Sequence, residues 1–565
     1  MIRSATLRRA VLSGETRGRW FFFAAPPLLL WLGFARWIAP SAIEGIYRGE
    51  LRLPFLDRLI AGAAHPLAYY LDAWARLSTT FFVAALGAGA AVFLLTRPFY
   101  FTRFVGAATA GQLGAVRIIT CAILLASALW EDVASSALLP ADMREPKGVM
   151  RLFHLLPGFG AFVSSPTALA AFQSFTALAL ALGLAGWRTR AVLPLGALGY
   201  LLLGGILRQY TWFYHVGVVP LYVLAVLAFT PCGDGLSLDR LRKIRRGETV
   251  APAERAAPVY GWSRYLCWLV IALAYLAAGM SKIGNDGLFW LSADNLKRMM
   301  LRDSLNLMEF DWGASLYLVR APDFLFSALA IATVAGELGF ALVLFSAAAR
   351  RIFPAAMALM HLGILFFQNV FFPDLIAIQL MFYDWSRAIE ALRRWRCARA
   401  PAAVDGPARQ PGRRSVAALL YPAGAGALIG TVLFCWLLRI EFYPFTAMQM
   451  YTKWGPIQPI TYYKVLARYE SGAASRAPLE TIKALADSRY RAVIALAFSP
   501  ARAELCKKYL AAVAAAYNAR AAPGKKITGF EVQKWTWDFR SAPGDPAHGV
   551  LAGRVVFAPS TRRAS

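Results

Sequence analysis

The sequence predicts an all-α polytopic membrane helix bundle of about ten or eleven spans, closed by a small C-terminal extramembrane α+β domain. Two observations lead there. The 565 residues are 58% hydrophobic and only 16% charged, whereas soluble domains carry about 25% charged residues. Such a chain has too few charges to cover a soluble surface, so lipid must solvate much of it. The apolar residues also fall in stretches of roughly 17–25, the length that crosses a bilayer as a helix.

These stretches lie near 20–38, 77–96, 113–130, 165–186, 191–207, 214–231, 264–283, 323–347, 353–371, 375–390 and 415–438. The first follows an Arg-rich start and is read as an uncleaved anchor, with a signal sequence as the alternative. The tenth is short enough to be re-entrant. They divide the chain into an N-terminal segment with two spans (1–110), a membrane core (111–390), a basic loop (391–414), a last span (415–438) and a tail (439–565).

The net charge of +28 does not indicate nucleic acid. Lys and Arg sit in short runs between apolar stretches, as flanking charges do in membrane proteins. With the N-terminus inside, counting spans places the basic stretches 232–263 and 391–414 inside, together with Arg350 and Arg351. The positive-inside rule then predicts a multi-pass cytoplasmic (inner) membrane protein with a cytoplasmic N-terminus and an extracytoplasmic tail. The tail opens on an aromatic collar, Phe442-Tyr443-Pro444-Phe445. A strand is expected over 459–469, a helix capped by Ser499-Pro500, and β-rich stretches over 527–539 and 550–558. The sequence shows no internal repeat and no pair of interrupted helices, which ranks transport last among the functions considered.

The six Cys, at 121, 232, 267, 397, 435 and 506, have no metal-site or disulfide spacing. The dispersed His residues suggest no metal either.

Ionisable residues inside spans are costly and are functional candidates by default. Lys282 lies in Tyr275-Leu-Ala-Ala-Gly279-Met-Ser-Lys282. Helical spacing puts Tyr275, Ala278, Gly279 and Lys282 on one face, with space expected beside the Lys. A desolvated Lys gives up its charge more readily and can act as a neutral base. The alternative is a Lys snorkelling at the end of a span. His215, in Trp212-Phe-Tyr214-His215, opens its span, and Pro220 is expected to loosen the backbone beside it. The alternative is a His in an interfacial aromatic belt. Arg117, Glu337 and His361 are read as structural intramembrane polar residues: Glu337 with Arg117 as a candidate partner, His361 as a satisfied core His. Residues 293–305 read as an interfacial amphipathic helix, either a lid over Lys282 or an anchor.

Five segments carry a resemblance in their order along residues 110–390: Gly114-Ala-Val-Arg117, Trp212-Phe-Tyr-His215, Pro231-Cys-Gly-Asp-Gly-Leu-Ser-Leu-Asp239, Tyr275 to Lys282, and Gly336-Glu337-Leu. Together they resemble the horizontally transferred transmembrane (HTTM) family, bacterial relatives of vitamin K-dependent gamma-carboxylase. The resemblance implies a carboxylase- or oxygenase-like enzyme using a membrane quinol, with Lys282 as its base and His215 as its partner. Trp212, Tyr214, Tyr275 and Gly279 would then line the substrate site. The sequence departs from the family at Tyr214, where Asn is common, and at Lys282, where the carboxylase has a Lys pair. Its tail of about 125 residues is also smaller than the lumenal part of the carboxylase, which favours quinol handling over glutamate carboxylation. The competing reading is a non-catalytic lipid-binding or assembly protein whose tail recruits an extracytoplasmic partner.

Overall fold

The computed structural model describes residues 29–51, 65–209, 215–252, 254–306, 310, 312–385, 416–452, 459–477 and 490–557. The basic loop 391–414 lies outside these residues; of the expected first span 20–38, residues 29–38 are described and are helical. The described chain is mostly helical. Eight of its helices are long and apolar enough to cross a membrane, which makes it a polytopic helical membrane protein. They match eight of the eleven expected stretches.

The chain divides into two compact units, Met1–Gly106 with Pro407–Ile440, and Ala107–Gly406 with Glu441–Ser565. The first unit pairs the helices Leu67–Leu95 and Val416–Leu437. Their contact uses Gly426 and Gly430, four residues apart. A Cβ on Gly426 would lie 2.3 Å from Val92 Cγ2, and one on Gly430 2.9 Å from Ala88 Cβ. Small residues at this spacing let backbones approach where no hydrophobic effect drives helices together.

The second unit holds α1 (Ala110–Trp130), α2 (Pro166–Ala185), α3 (Thr189–Arg208), α4 (Val218–Ala228), α5 (Pro258–Asp286), α6 (Ala293–Leu305), α7 (Asp323–Gly339), α8 (Ala349–Gln368) and α9, an α-to-3₁₀ segment over Pro373–Phe382. α4 has 11 residues, which at 1.5 Å each is about half of a ~30 Å hydrocarbon core. α9 is similarly short. The two begin together: the Gly217 amide at the start of α4 donates to Asp374 Oδ2 in the first turn of α9 at 2.7 Å. Both then run toward the end of the bundle where α1 starts. Asp384, just past α9, accepts from Gln112 at 3.0 Å, and the turn after α4 meets α1 at Arg117. The two expected spans 214–231 and 375–390 are therefore a pair of half-length helices, a pattern not seen in the sequence.

The start of α4 lies inside the bundle. Arg208 Nη2 donates to Val216 O at 2.8 Å while Nη1 donates to Gly204 O, so Val216 sits beside α3 a turn before its end. Irregular backbone at such depth is tolerated where protein buries it. Pro220 does not loosen this helix. It is the third residue of α4, where a helix amide has no intrahelical acceptor in any case.

The segment Pro231 to Asp239 is a structural clamp. Arg117, fully buried, donates to the carbonyls of Cys232 at 2.7 Å, Gly235 at 3.3 Å and Leu236 at 2.5 Å. Asp239 accepts from the amides of Arg188 and Thr189 at 2.7 and 2.8 Å, capping α3 from another segment. Gly235 permits the approach: a Cβ there would lie 2.0 Å from Ala110 O.

After the last span the collar forms a short hairpin, β1 (Glu441–Phe442) and β2 (Phe445–Thr446). The tail follows with β3 (Ile460–Tyr469), β4 (Ala474–Arg476), α10 (Ala503–Asn518), β5 (Ile527–Trp537) and β6 (Val550–Phe557). The sheet is antiparallel in the order β4-β3-β5-β6. α10 buries Cys506, Tyr509, Leu510 and Val513 against Val465 and Val532. It starts three residues later than the Ser499-Pro500 cap predicts. The Ser499 carbonyl instead accepts from the Arg502 and Ala503 amides in a turn. α6 matches the expected 293–305 helix, but it packs between α7 and β3 and buries Asp303 and Ser304 as well as its apolar face.

Candidate functional site: a buried lysine–glutamate pair

α5 is 29 residues long, with a run of apolar and small residues that lets it bury most of its surface. Near its far end Lys282 Nζ donates to both Glu337 oxygens, each at 2.8 Å. Lys282 is 3% exposed and Glu337 4%, so the pair is shielded from water on both sides. The helix contact beneath it depends on Gly279. A Cβ there would lie 2.9 Å from Leu338 Cδ2 and 3.2 Å from Glu337 Cβ. The space expected beside Gly279 is thus filled by α7. Small residues on α5 bring the helix bearing the carboxylate within reach of the amine.

Glu337 is paired with Lys282 and not with Arg117, whose guanidinium is taken up by the clamp loop. Lys282 does not snorkel. Trp290 lies beside it, with Nζ 5.4 Å from the ring centre, and the Trp290 indole N–H donates to Tyr451 O at 2.7 Å. Trp290 belongs to the same apolar cluster as Leu296, Met299 and Met300 of α6, which puts α6 over this end of α5.

Two turns earlier on α5, Tyr275 joins a second polar group. Its hydroxyl accepts from Gln379 Nε2 at 2.8 Å and shares a 3.0 Å hydrogen bond with His361 Nε2. The roles in this bond are coupled: a hydroxyl proton given to His361 leaves the imidazole proton on Nδ1, and an Nε2 proton given to the hydroxyl leaves Nδ1 an acceptor. His361 is only half satisfied, since Nδ1 is buried with no partner, as are Gln379 Oε1 and Asp374 Oδ1.

His215 is held by the collar. Its Nε2 lies 3.0 Å from Thr446 Oγ1 and 3.5 Å from Glu441 Oε2, and Thr446 Oγ1 donates to that same carboxylate oxygen at 2.8 Å. With its proton on Glu441, the Thr446 hydroxyl accepts from His215. The next residue reaches α5: Ser281 Oγ donates to Ala447 O at 3.0 Å. Consecutive collar residues therefore tie His215 to the neighbour of Lys282. Tyr443 anchors the collar, donating to Leu201 O at 2.7 Å and packing where α3 has Gly204 and Gly205.

Trp212 and Tyr214 lie outside the described residues. Sequence reasoning missed Glu441 and Thr446 as partners of His215, and Gln379 and Asp374 as buried polar groups. The signal for the last two was available, since both are polar residues in an apolar stretch. Among the described residues no group of three or more His, Cys, Asp or Glu is arranged to hold a metal ion.

No family model, curated protein or solved structure matches the chain.

Proposed function

We propose that this protein is an integral membrane enzyme in which Lys282 takes the hydroxyl proton of a membrane quinol, the activity implied by the resemblance to relatives of gamma-carboxylase. The observation that supports it is the buried Lys282–Glu337 pair on two apolar helices. A base must present a neutral amine. Burial penalises the two charges of the ion pair, and moving one proton from Nζ to Glu337 leaves an amine beside a carboxylic acid. Glu337 is then the proton store that makes Lys282 a base. When a quinol hydroxyl reaches Nζ, its O–H bond breaks and an N–H bond forms, leaving a quinolate beside the new ammonium. His215, fixed by Thr446 and Glu441, would hold the other end of the ring or its product.

A second reading is favoured by the same geometry: with both carboxylate oxygens engaged and Gly279 filled by Leu338, the pair would join α5 to α7 and do no chemistry. Two measurements separate the readings. Native mass spectrometry of the purified protein looks for a co-purifying quinone. Oxygen consumption with a short-chain menaquinol then compares wild type with Lys282→Arg. Arg stays protonated and cannot act as a base, so Lys282→Arg should lose quinol-dependent turnover. Full activity in that variant would exclude Lys282 as the base.

A further inference from the structure

At the opposite end of α5 two guanidinium groups converge on one indole. Arg264, seven residues into α5, places Cζ 4.5 Å from the centre of the Trp268 ring. Arg350, the second residue of α8, places Cζ 5.1 Å from the same centre. The two positive groups are thus at most about 10 Å apart, across a side chain that is itself 4% exposed. Trp268 cannot move to relieve them. Its indole N–H donates to Met381 O at 3.1 Å, and its ring stacks on Phe382 at 5.8 Å.

The local acceptors do not balance this charge. Arg350 uses Nη1 on Val343 O at 2.8 Å, a carbonyl at the end of the segment that continues α7. Arg264 Nε is buried with no acceptor, and among the described residues no carboxylate forms an ion pair with Arg264. The exposed Asp384 is close enough to attract Arg264 and also accepts from Gln112 at 3.0 Å, but one carboxylate leaves the two guanidinium groups with a net positive charge. Two like charges set together at the edge of an apolar bundle call for an anion. Guanidinium groups favour one that accepts several hydrogen bonds at once.

We propose that Arg264 and Arg350 form a binding site for a phosphate group, with Trp268 as its platform. The site lies where α8 begins, at the end of the bundle bearing Ala110 and Pro258. A phospholipid headgroup could supply the phosphate there, and so could a soluble phosphate. Basic pockets between spanning helices bind anionic headgroups in this way. The site does not depend on the chemistry proposed for Lys282.

The test uses the full chain purified in detergent and titrated with dioctanoyl phosphatidylglycerol, dioctanoyl phosphatidylcholine or inorganic phosphate. Native mass spectrometry counts adducts, and thermal unfolding reads stabilisation. Phosphatidylglycerol should bind wild type at least about 10-fold more tightly than phosphatidylcholine, whose cation the two Arg residues repel. The Arg264→Gln/Arg350→Gln protein should lose that preference, and Arg264→Lys should keep part of it. Equal binding of the two lipids to wild type would overturn the proposal, and this comparison needs no variant to fold. So would an undiminished preference in the double variant. Displacement of phosphatidylglycerol by millimolar inorganic phosphate would identify a soluble phosphate as a ligand of the site. Retention would identify the lipid headgroup.

Discussion

At Lys282 two hydrogen bonds of 2.8 Å go to one carboxylate, and that sharing governs what substitutions will do. Removing either partner strands a buried charge, which costs about 3–5 kcal/mol. Lys282→Met and Glu337→Leu should each lower the unfolding midpoint sharply, while the double variant should recover most of the loss. If the pair is also the proton-handling site, all three proteins lack quinol-dependent turnover, and only the double variant separates stability from chemistry. A double variant as unstable as the singles would mean that the pair does not act as a unit. Lys282 and Glu337 were each legible in the sequence as chemistry-bearing residues, but their pairing was not. They lie 55 residues apart, and which face of α7 meets α5 depends on Leu338 settling against Gly279. Arg117 looked a plausible partner because charge alone cannot reveal that its guanidinium serves a loop of backbone carbonyls.

Among the elements, the half-length helices α4 and α9 set the depth of His215. Their shared start rests on the hydrogen bond from the Gly217 amide to Asp374. Asp374→Ala would leave that amide buried without an acceptor, a loss of about 1.5–3 kcal/mol. Thermal unfolding of Asp374→Ala in detergent should show a lowered midpoint, with Asp374→Asn lying nearer wild type because its amide oxygen still accepts. Equal midpoints for Asp374→Ala and wild type would show that the two starts are held by packing alone. The long helices were readable because eighteen or more apolar residues in a row signal a span. The short ones were not, because an apolar run does not reveal where its helix begins. His215-Val216-Gly217 continue the expected span 214–231 on paper, yet Gly217 has φ +78°, and His215 and Val216 are not helical.

For the whole molecule, the tail provides two measurable consequences. Its carboxylates Asp545, Asp538 and Glu531 are all held below their ordinary values. Asp545 accepts from the Gly549 and Ala547 amides, Asp538 from the Arg540 amide, and Glu531 from Gln533 and Arg468. Groups with depressed values contribute stability that is complete above the unfolded values near pH 4. It is lost as pH falls through the lower folded values. Cys506, which burial pushes up to about 12, should therefore resist dithiodipyridine near pH 6 and become reactive as pH drops below about 4. Asp545→Asn should blunt the acid dependence, and a Cys506 reactivity flat across that range would refute it. The second consequence is sidedness. The dense basic loops predict that an impermeant thiol reagent reaches Cys506 from outside intact cells once the tail is unfolded. Proteolysis of the tail only from the cytoplasmic side would reverse the orientation.

The collar gives the chain an order of assembly. His215 leaves the ribosome more than two hundred residues before Thr446 and Glu441, its partners in the folded protein. Tyr443 fills a groove on α3 that is synthesised equally early. During synthesis, when the N-terminal parts of a chain fold first, this end of the bundle has to wait with an open seam until the last membrane helix has passed and the collar can enter it. A chaperone or insertase acting on this protein would find its exposed surface there, and a chain whose residue 440 has just emerged from the ribosome would have every long span free to insert and His215 still without its latch.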